Sequence, residues 1–321
     1  MKIMVFDVPA EHGGALSILN QYYDAARNDK ENEWIFVISK PSLESCKNVK
    51  ILNFPWVKKS WLHRIWFDNV YATKLVKRYR PDKVISLQNT MIKQRVCFQE
   101  LYVHQALPFS EKRFSLRENK KLWIYQNIIS RIIFQSIKRC DSITVQTLWM
   151  KYAICKKTGV SENKVSVVTP TVSIPEDVKY QGMEEILFFY PAGSGIYKNH
   201  ELIYKAVEEL KMSGYDNFKV YLTINKPSIF AEKYREIDNL IEFCGYMEKS
   251  KVYELYQKSV LLFPSYIETF GLPLLEARTV GCPVIASDCA FSREIIDGYD
   301  KGCFFDPFDC LELADQMKKY L

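Results

Sequence analysis

The stretch VLLFPSYIETFGLPLLEARTVGCPVIAS, residues 260–287, decides the fold class of this chain. An apolar run at 260–263 stops at Pro264, and a second apolar run at 283–286 closes the stretch. Residues 273–280 between them are predicted to form a helix, since Pro273 is tolerated in a first helical turn. The order strand, helix, strand is the repeating unit of a parallel α/β sheet.

The same alternation extends outward from this stretch in the N-terminal direction. Before residue 169 the pattern predicts strands at 3–6, 34–39, 83–87, 101–104, 142–146 and 164–168. It also predicts a helix after the first of these strands and helices at 58–80 and 122–139. After residue 182 it predicts strands at 186–190, 219–223 and 241–243, helices at 201–211, 229–239 and 251–259, and a final helix from residue 311.

The region around residues 169–182 contains two prolines and little periodicity, and it is where the charge changes sign. Such composition is typical of an interdomain linker. We therefore predict an α/β protein with two Rossmann-like βα domains, residues 1–172 and 183–321, joined by a linker at 173–182. Two such domains are expected to face each other across a cleft, with ligands at the carboxyl ends of the strands.

Composition excludes several classes of protein. A hydrophobic share of 48% supports well-formed cores and excludes global disorder. The apolar runs are strand-length, and none approaches the ~20 residues of a membrane-spanning helix. The nine cysteines include no C-x-x-C pair and suit reduced thiols, and residues 1–9 do not resemble a secretory signal. A cytoplasmic location is the expectation.

The net charge of +6 conceals an asymmetry between the two halves. Residues 1–175 carry 28 Lys and Arg against 14 Asp and Glu, a net +14, whereas residues 176–321 carry a net −8. A basic half of this kind is expected to meet an anionic surface or polymer. Nucleic acid and acidic phospholipid both fit the charge alone.

Two glutamates separated by seven residues, Glu268 and Glu276, carry the most informative chemistry. A helix is predicted to begin between them, so that the backbone N–H groups of Phe270, Gly271 and Leu272 are free to bind anionic oxygens. Glu268 precedes that helix and suits sugar hydroxyls. Glu276, about one turn into it, suits a ribose diol. An amphipathic helix with two solvated glutamates is the structural alternative.

This segment resembles the E-x7-E motif of the retaining GT-B glycosyltransferases of the glycosyl transferases group 1 superfamily. The strand that follows resembles their shared G-x-P-V-I-A-S strand. The resemblance implies a GT-B fold, with a nucleotide-sugar bound by the C-terminal domain and an acceptor bound by the N-terminal domain. It also implies transfer with retention of anomeric configuration. In general organisation the N-terminal half resembles bacterial capsule, O-antigen and exopolysaccharide transferases.

A second segment, YPAGSGIYKNH at 190–200, resembles the loop that opens the second domain of this family. The resemblance assigns Lys198 to the donor pyrophosphate, where a lysine can neutralise the leaving group. Many members have an arginine about five residues earlier, and here that position is Gly193. The hydroxyl of Ser194 and loop N–H groups are expected to compensate. An exposed surface lysine is the alternative for Lys198.

Three further positions are carried over from the resemblance. In His12–Ala15, after the first strand, Gly14 is expected to let the backbone approach the donor phosphate. His104, at the end of the predicted strand 101–104, is expected to touch the transferred sugar. Tyr246 or its neighbours are expected to hold the nucleotide base. The alternatives are a plain βα turn, a structural histidine and an ordinary loop aromatic.

No D-x-D motif and no His/Cys cluster with metal spacing occurs in the sequence, so we predict no metal site and no cofactor besides the nucleotide-sugar co-substrate. The expected function is a metal-independent retaining glycosyltransferase with catalytic His104, Lys198 and Glu268. Its expected partners are a nucleotide-diphosphate sugar and a glycan or polyprenyl-linked acceptor in bacterial surface polysaccharide synthesis. A non-catalytic nucleotide-sugar-binding relative is the alternative.

Residues 56–80 interleave basic and aromatic side chains, a pattern that suits a helix lying on anionic lipid. An anionic membrane surface at the inner face of the plasma membrane is therefore a further expected partner. No recognised nucleic-acid-binding module is visible, and no nucleic acid partner is predicted. The alternative is that the aromatics are core and the basic residues a solvated face. The residues assigned to this surface are Lys58, Lys59, Trp61, Arg64 and Trp66.

Overall fold

The computed structural model describes residues 1–11, 13–93 and 97–321, and it separates into two compact units, Met1–Thr169 and Pro170–Leu321. The segment at 173–182, where the sequence predicts a linker, belongs to the second unit. There the Tyr180 N–H group donates to the Val280 carbonyl at 2.8 Å, and the Gln181 N–H group donates to the Gln257 carbonyl at 2.8 Å.

In the described part of the first unit, seven parallel strands form one sheet in the order β3-β2-β1-β4-β5-β6-β7. The strands are β1 (Lys2–Asp7), β2 (Glu33–Ile38), β3 (Val49–Asn53), β4 (Lys83–Ser86), β5 (Phe98–Tyr102), β6 (Ser142–Val145) and β7 (Val165–Val167). The helices are α1 (Gly13–Asn28), α2 (Trp61–Trp66), α3 (Ala72–Tyr79), α4 (Lys120–Ile124), α5 (Ser130–Arg139) and α6 (Leu148–Thr158). π-helical stretches join α2 to α3 (Phe67–Tyr71) and α4 to α5 (Tyr125–Ile129).

The second unit, all of whose residues are described, contains six parallel strands in the order β10-β9-β8-β11-β12-β13. The strands are β8 (Leu187–Tyr190), β9 (Lys219–Leu222), β10 (Ile241–Phe243), β11 (Val260–Phe263), β12 (Val284–Ser287) and β13 (Gly302–Phe305). The helices are α7 (His200–Met212), α8 (Ser228–Lys233), α9 (Lys249–Tyr256), α10 (Leu272–Val280), α11 (Ala290–Ile296) and α12 (Cys310–Lys318). Two α/β units with parallel sheets confirm the predicted fold class.

Alternating side chains of β1 show why its sequence forms a central strand. Ile3 and Val5 pack into a core cluster that contains residues of α1, whereas Met4 and Phe6 pack into a cluster that contains residues of α3. A strand buried on both faces must be apolar at nearly every position, as parallel sheets require. Asp7 breaks this rule at the carboxyl end of the strand, although it is as fully buried as its neighbours.

The length and apolar character of a helix decide whether it can span a membrane. Among the residues that the structure describes, every helix falls short of the combined length and apolar character that crossing a bilayer requires.

Candidate functional site

Within the second unit, the strand order reverses between β8 and β11, which are neighbours in the sheet. Loops that follow two such strands diverge, and the crevice at their carboxyl ends is where open α/β sheets bind ligands. Residues 191–199 follow β8, and residues 264–271 follow β11. The segments predicted around Lys198 and Glu268 therefore both lie at this reversal point.

The side chains of Lys198 and Glu268, 70 positions apart in sequence, form an ion pair that joins these two loops. The Lys198 ammonium donates to Glu268 Oε1, and the Ser265 hydroxyl donates to the same oxygen at 2.6 Å. Only 23% of the Lys198 side chain and 16% of the Glu268 side chain are exposed. Because the pair is largely removed from water, removal of one partner leaves the other charge uncompensated.

The backbone after Lys198 is fixed by Asn199, which adopts a left-handed conformation with φ of +61°. Its side-chain amide donates to the carbonyls of Pro264, at 3.3 Å, and Pro307, at 2.7 Å. The Tyr190 hydroxyl donates to the Lys198 carbonyl at 3.0 Å. Asparagine tolerates this conformation better than most residues. The loops after β8, β11 and β13 are thereby held together at the ion pair.

Helix α10 begins immediately after the Glu268 loop, with Gly271 as its N-cap at φ of +94°. No side chain caps the helix, and the N–H groups of Phe270, Gly271 and Leu272 have no acceptor among the described residues. Glycine suits the cap because its φ is unfavourable for other residues and a β-carbon would lie 3.2 Å from Leu274. Free N–H groups at the positive end of a helix form a binding site for anionic oxygens.

Glu276 lies one turn into α10 and is buried, with 8% of its surface exposed. Its carboxylate accepts a hydrogen bond from the Tyr256 hydroxyl at 3.3 Å, and its other oxygen lies 3.6 Å from the Lys249 ammonium. Burial raises the pKa of Glu276 above its ordinary value, and the Lys249 charge opposes that shift. Its two partners hold the carboxylate in one orientation, as a hydroxyl-binding group requires.

Two predicted donor-binding residues lie on surface loops. Ser194 is exposed, and Tyr246 has 92% of its surface exposed between β10 and α9. Gly193 is also exposed, and a β-carbon there would have no atom within 4 Å. The contribution of these loops to ligand binding stays a prediction.

Comparison with known proteins places this site in a family. Residues 175–321, which include Lys198, Glu268 and Glu276, match the family described as glycosyl transferases group 1. The second unit belongs to the glycosyl transferases group 1 family.

The chain has low sequence identity to individual similar proteins, but its fold matches theirs over nearly the whole chain. The chain is 21% identical to the O-antigen chain mannosyltransferase RfbU of Salmonella typhimurium over 205 residues, 60% of this chain and 57% of RfbU. The aligned stretch thus covers less than two thirds of that relative. The lipopolysaccharide outer core galactosyltransferase WaaB superposes with a TM-score of 0.68 at 20% identity, covering 100% of this chain and 90% of WaaB. HepE of Anabaena in complex with UDP gives 0.67 at 13% identity, covering 99% and 89%. These likenesses confirm the predicted GT-B fold class.

Among the described residues, no group of three or more His, Cys, Asp and Glu side chains is arranged to hold a metal ion. The charged and hydrogen-bonding groups at the strand-order reversal of the second unit are the lysine, the two glutamates and the free N–H groups described above.

In the first unit, His104 lies beyond the carboxyl end of β5. Its backbone N–H group donates to Asn89 Oδ1 at 2.8 Å, and its ring centroid lies 5.8 Å from that of Tyr102. Burial lowers the pKa of His104 to about 4, and a hydrogen bond with the Leu87 backbone opposes the shift. The imidazole is therefore neutral at pH 7 and can exchange a hydrogen bond with a hydroxyl group.

The Gly-rich turn of the first unit is described in part. His12 lies outside the described residues. Gly14 is the second residue of α1 and is exposed, and a β-carbon there would have no atom within 4 Å. Space around Gly14 thus leaves its backbone accessible, and its role stays a prediction.

The residues predicted for a membrane surface divide into two groups. Trp61 and Trp66 are 71% and 46% exposed on α2, and Lys59 is exposed beside them. Lys58 and Arg64 instead make internal contacts: the Lys58 ammonium lies 2.8 Å from Glu11, and Arg64 donates to Asp68 at 2.6 Å. Sequence reasoning missed Leu62 and Ile65, which are 76% and 51% exposed on the same helix.

Three residues that support the ion pair, Ser265, Tyr190 and Asn199, have no role predicted from the sequence. Ser265 lies three residues before Glu268, a spacing that permits a hydrogen bond across the loop. The contacts of Tyr190 and Asn199 depend on which strands are neighbours, and spacing along the chain does not give that information.

Asp7, the last residue of β1, was likewise not predicted. It is fully buried, and neither carboxylate oxygen makes a hydrogen bond of normal geometry. Burial raises the pKa of Asp7 from 3.8 to about 7, although the nearby Ala10 N–H group and the charges of Arg64 and Lys58 oppose the shift. The folded protein therefore retains a proton on Asp7 at pH values where an unfolded chain has released it.

This difference predicts a pH-dependent stability of the Asp7→Asn variant. Because the pKa of Asp7 is raised in the folded protein, its protonated form stabilises the fold. This contribution to the free energy of unfolding is fully present below about pH 4 and is lost as the pH rises through about 7. Since asparagine does not titrate, the variant is expected to be more stable than wild type at about pH 8, by on the order of 2–4 kcal/mol, and equal to it near pH 4. Thermal unfolding followed by circular dichroism across this range measures the difference.

Asp24→Asn is the matched control, because Asp24 is exposed on α1. It is expected to unfold like wild type at every pH. An Asp7→Asn variant that is less stable than wild type at pH 8 would contradict this account of the buried carboxyl.

Proposed function

We propose that the chain is a metal-independent retaining glycosyltransferase that moves a sugar from a nucleotide-diphosphate sugar to a glycan or lipid-linked acceptor. The observation that carries the proposal is the Lys198–Glu268 ion pair beside the uncapped start of α10. A cation, an acid and free N–H groups lie at one strand-order reversal. The cation and the N–H groups suit the diphosphate oxygens of such a donor, and the acid suits its sugar hydroxyls.

Charge neutralisation of the leaving diphosphate is the first requirement of the reaction. Lys198 supplies a positive charge, and the start of α10 supplies N–H groups and the positive end of the helix dipole. Both are fixed before the ligand arrives, so little reorganisation accompanies the development of charge on the leaving group. These groups support the metal-independent form of the proposal.

The Lys198 ammonium is paired with Glu268 in the structure, and we propose that donor binding exchanges this partner. The diphosphate takes the ammonium, and Glu268 becomes available to sugar hydroxyls, which are neutral donors that a carboxylate accepts. Glu276 would accept from the ribose diol, as its fixed orientation favours. His104, neutral at pH 7, is proposed to touch the transferred sugar.

Retention of configuration is proposed on the strength of the E-x7-E segment. The resemblance implies front-face displacement, in which the leaving phosphate helps to deprotonate the acceptor hydroxyl. The protein then contributes mainly orientation and electrostatic stabilisation.

The acceptor class is proposed from the similar proteins. RfbU is an O-antigen chain mannosyltransferase, and WaaB is a lipopolysaccharide outer core galactosyltransferase. The structure of HepE contains UDP, which makes UDP-sugars the first donors to test. By extension, we propose that this chain works on a bacterial surface polysaccharide from the cytoplasmic side of the membrane.

Replacement of Lys198 tests the donor site. Lys198→Ala is expected to lower kcat/KM about 100- to 1,000-fold, because a fixed group that stabilises leaving-group charge is lost. The donor for this assay is the nucleotide-sugar that raises the Tm of the wild type most. The rate of nucleotide release from this donor measures the effect. Lys205→Ala, which removes a half-exposed lysine of α7 paired with Glu201, is the matched control and is expected to keep wild-type turnover.

The double variant Lys198→Ala/Glu268→Gln separates folding from chemistry. It removes both charges of the pair, so its Tm is expected to lie above that of Lys198→Ala while its turnover stays low. Turnover of Lys198→Ala within twofold of wild type would refute the assignment of Lys198.

A membrane-facing role is proposed for the exposed face of α2. Trp61, Leu62, Ile65 and Trp66 lie on this short helix with exposed Lys59 before it, and the N-terminal half of the chain is strongly basic. Apolar side chains that enter the interface beside cations are typical of a surface that binds anionic lipid. Such binding would hold the protein next to a lipid-linked acceptor.

Vesicle flotation tests this surface. Leu62→Ser/Ile65→Ser is expected to weaken binding to phosphatidylglycerol-containing vesicles about tenfold or more, because two apolar side chains no longer leave water. Ile128→Ser/Ile132→Ser is the matched control, since these isoleucines are 51% and 52% exposed, on the second π-helical stretch and on α5. Equal flotation of the first variant and wild type, or no flotation of wild type, would remove the proposal.

A non-catalytic nucleotide-sugar-binding relative is the second candidate. It predicts nucleotide-sugar binding without turnover by the wild-type chain. The presence of Lys198, Glu268 and Glu276 in one unit favours the enzyme.

A further inference from the structure

The first unit has its own reversal of strand order, between β1 and β4. Asp7 is the last residue of β1, and Gln88 follows β4 by two residues. Both are buried, and both carry side-chain oxygens that make no hydrogen bond of normal geometry among the described residues, although the Ala10 N–H group lies near Asp7. These oxygens are Asp7 Oδ1 and Oδ2, and Gln88 Oε1. Buried polar atoms are nearly always paired, so unpaired atoms at a ligand-binding edge indicate a missing partner.

The cations nearest Asp7 are already engaged. Arg64 donates to Asp68 Oδ2 at 2.6 Å, and Gln88 donates from its amide to the other Asp68 oxygen at 3.5 Å. Lys58 lies 2.8 Å from Glu11 and donates to the Pro9 carbonyl at 2.9 Å. Neither cation therefore forms an ion pair with Asp7, whose carboxyl group is left for another partner.

The chemistry of the unpaired atoms restricts the ligand class. All three are acceptors when Asp7 is ionised, so an anionic group such as phosphate is disfavoured. A cationic ligand is disfavoured by Arg64, Lys58 and the basic character of this half of the chain. A neutral polyol supplies O–H donors without adding charge, and a sugar is such a polyol.

We propose that Asp7, supported by Gln88, binds a hydroxyl group of the acceptor glycan within the first unit. This inference rests on the proposed transferase function, because it assigns the acceptor side of that reaction. Asp7 is a binding residue, distinct from the donor-binding groups of the second unit.

Binding through Asp7 carries a pH signature. Hydroxyl donors favour the ionised carboxylate, so glycoside affinity rises as the pH rises through about 7, where Asp7 titrates. If only the ionised form binds, affinity increases about tenfold between about pH 6 and pH 8. Among the described residues, the charges that act on Asp7 are Lys58 on the turn after β3 and Arg64 on α2. Lys58 is paired with Glu11 on the loop after β1, and Arg64 is paired with Asp68 on the π-helical stretch.

Ligand-detected saturation-transfer NMR on the full chain tests the proposal, with methyl glycosides of gluco, galacto and manno configuration as probes. Wild type and Asp24→Asn are expected to bind at least one probe with the pH dependence given above. Asp7→Asn keeps an acceptor oxygen and is expected to bind independently of pH. Asp7→Leu is expected to bind about tenfold or more weakly at pH 8, since a hydrogen bond to a charged group is lost.

The outcomes separate the two proposals. Wild-type binding that is flat with pH, unchanged binding by Asp7→Leu, or no binding of any probe by wild type overturns the role of Asp7. UDP binding, measured in parallel, is expected to be equal in wild type and the Asp7 variants. Failure of every nucleotide-sugar to bind wild type would refute the proposed donor site, while glycoside binding that follows Asp7 would still support the hydroxyl-binding site.

Discussion

The ion pair between Lys198 and Glu268 joins the loops that follow β8 and β11, and the rest of the candidate site depends on it. Two opposite charges held largely out of water fix each other's position, with Ser265 as a second donor to Glu268 Oε1. The same pair sets a constraint on function. In the proposed reaction the diphosphate takes the Lys198 ammonium and Glu268 is released, so we expect phosphate binding and the freeing of this carboxylate to be coupled.

Much of the fold follows from the sequence, because strands buried on both faces of a parallel sheet are continuous apolar runs. The sequence did not predict α6, β3, α11 or β13, and two of these have clear physical reasons. Helix α6 carries LWMKYAICKKT, whose apolar residues are spread around the helix and give no single stripe. Strand β3 lies at the edge of its sheet and is only partly buried, so its pattern is weak. The predicted helix at 229–239 is shorter, ending at Lys233 before a 3₁₀ turn.

The residues of the candidate site that belong to short, local sequence patterns could be predicted from the sequence. The glutamate spacing and the glycine at the start of α10 are local features, and Lys198 lies in a recognisable loop. Asp7, Gln88 and the internal pairing of Lys58 and Arg64 could not be predicted, because they depend on which segments meet in space. Arg64 pairs with Asp68 one helical turn away, but its burial depends on how α2 packs. Exposure of Leu62 and Ile65 is also a tertiary property.

The most direct test of the central claim is a crystal structure of the chain with UDP or an intact UDP-sugar bound. We expect the Lys198 ammonium to leave Glu268 and contact a diphosphate oxygen, with N–H groups at the start of α10 within hydrogen-bond distance of donor oxygens. With the intact sugar, Glu268 should accept from a sugar hydroxyl. A nucleotide bound elsewhere, with the Lys198–Glu268 pair unchanged, would contradict this expectation.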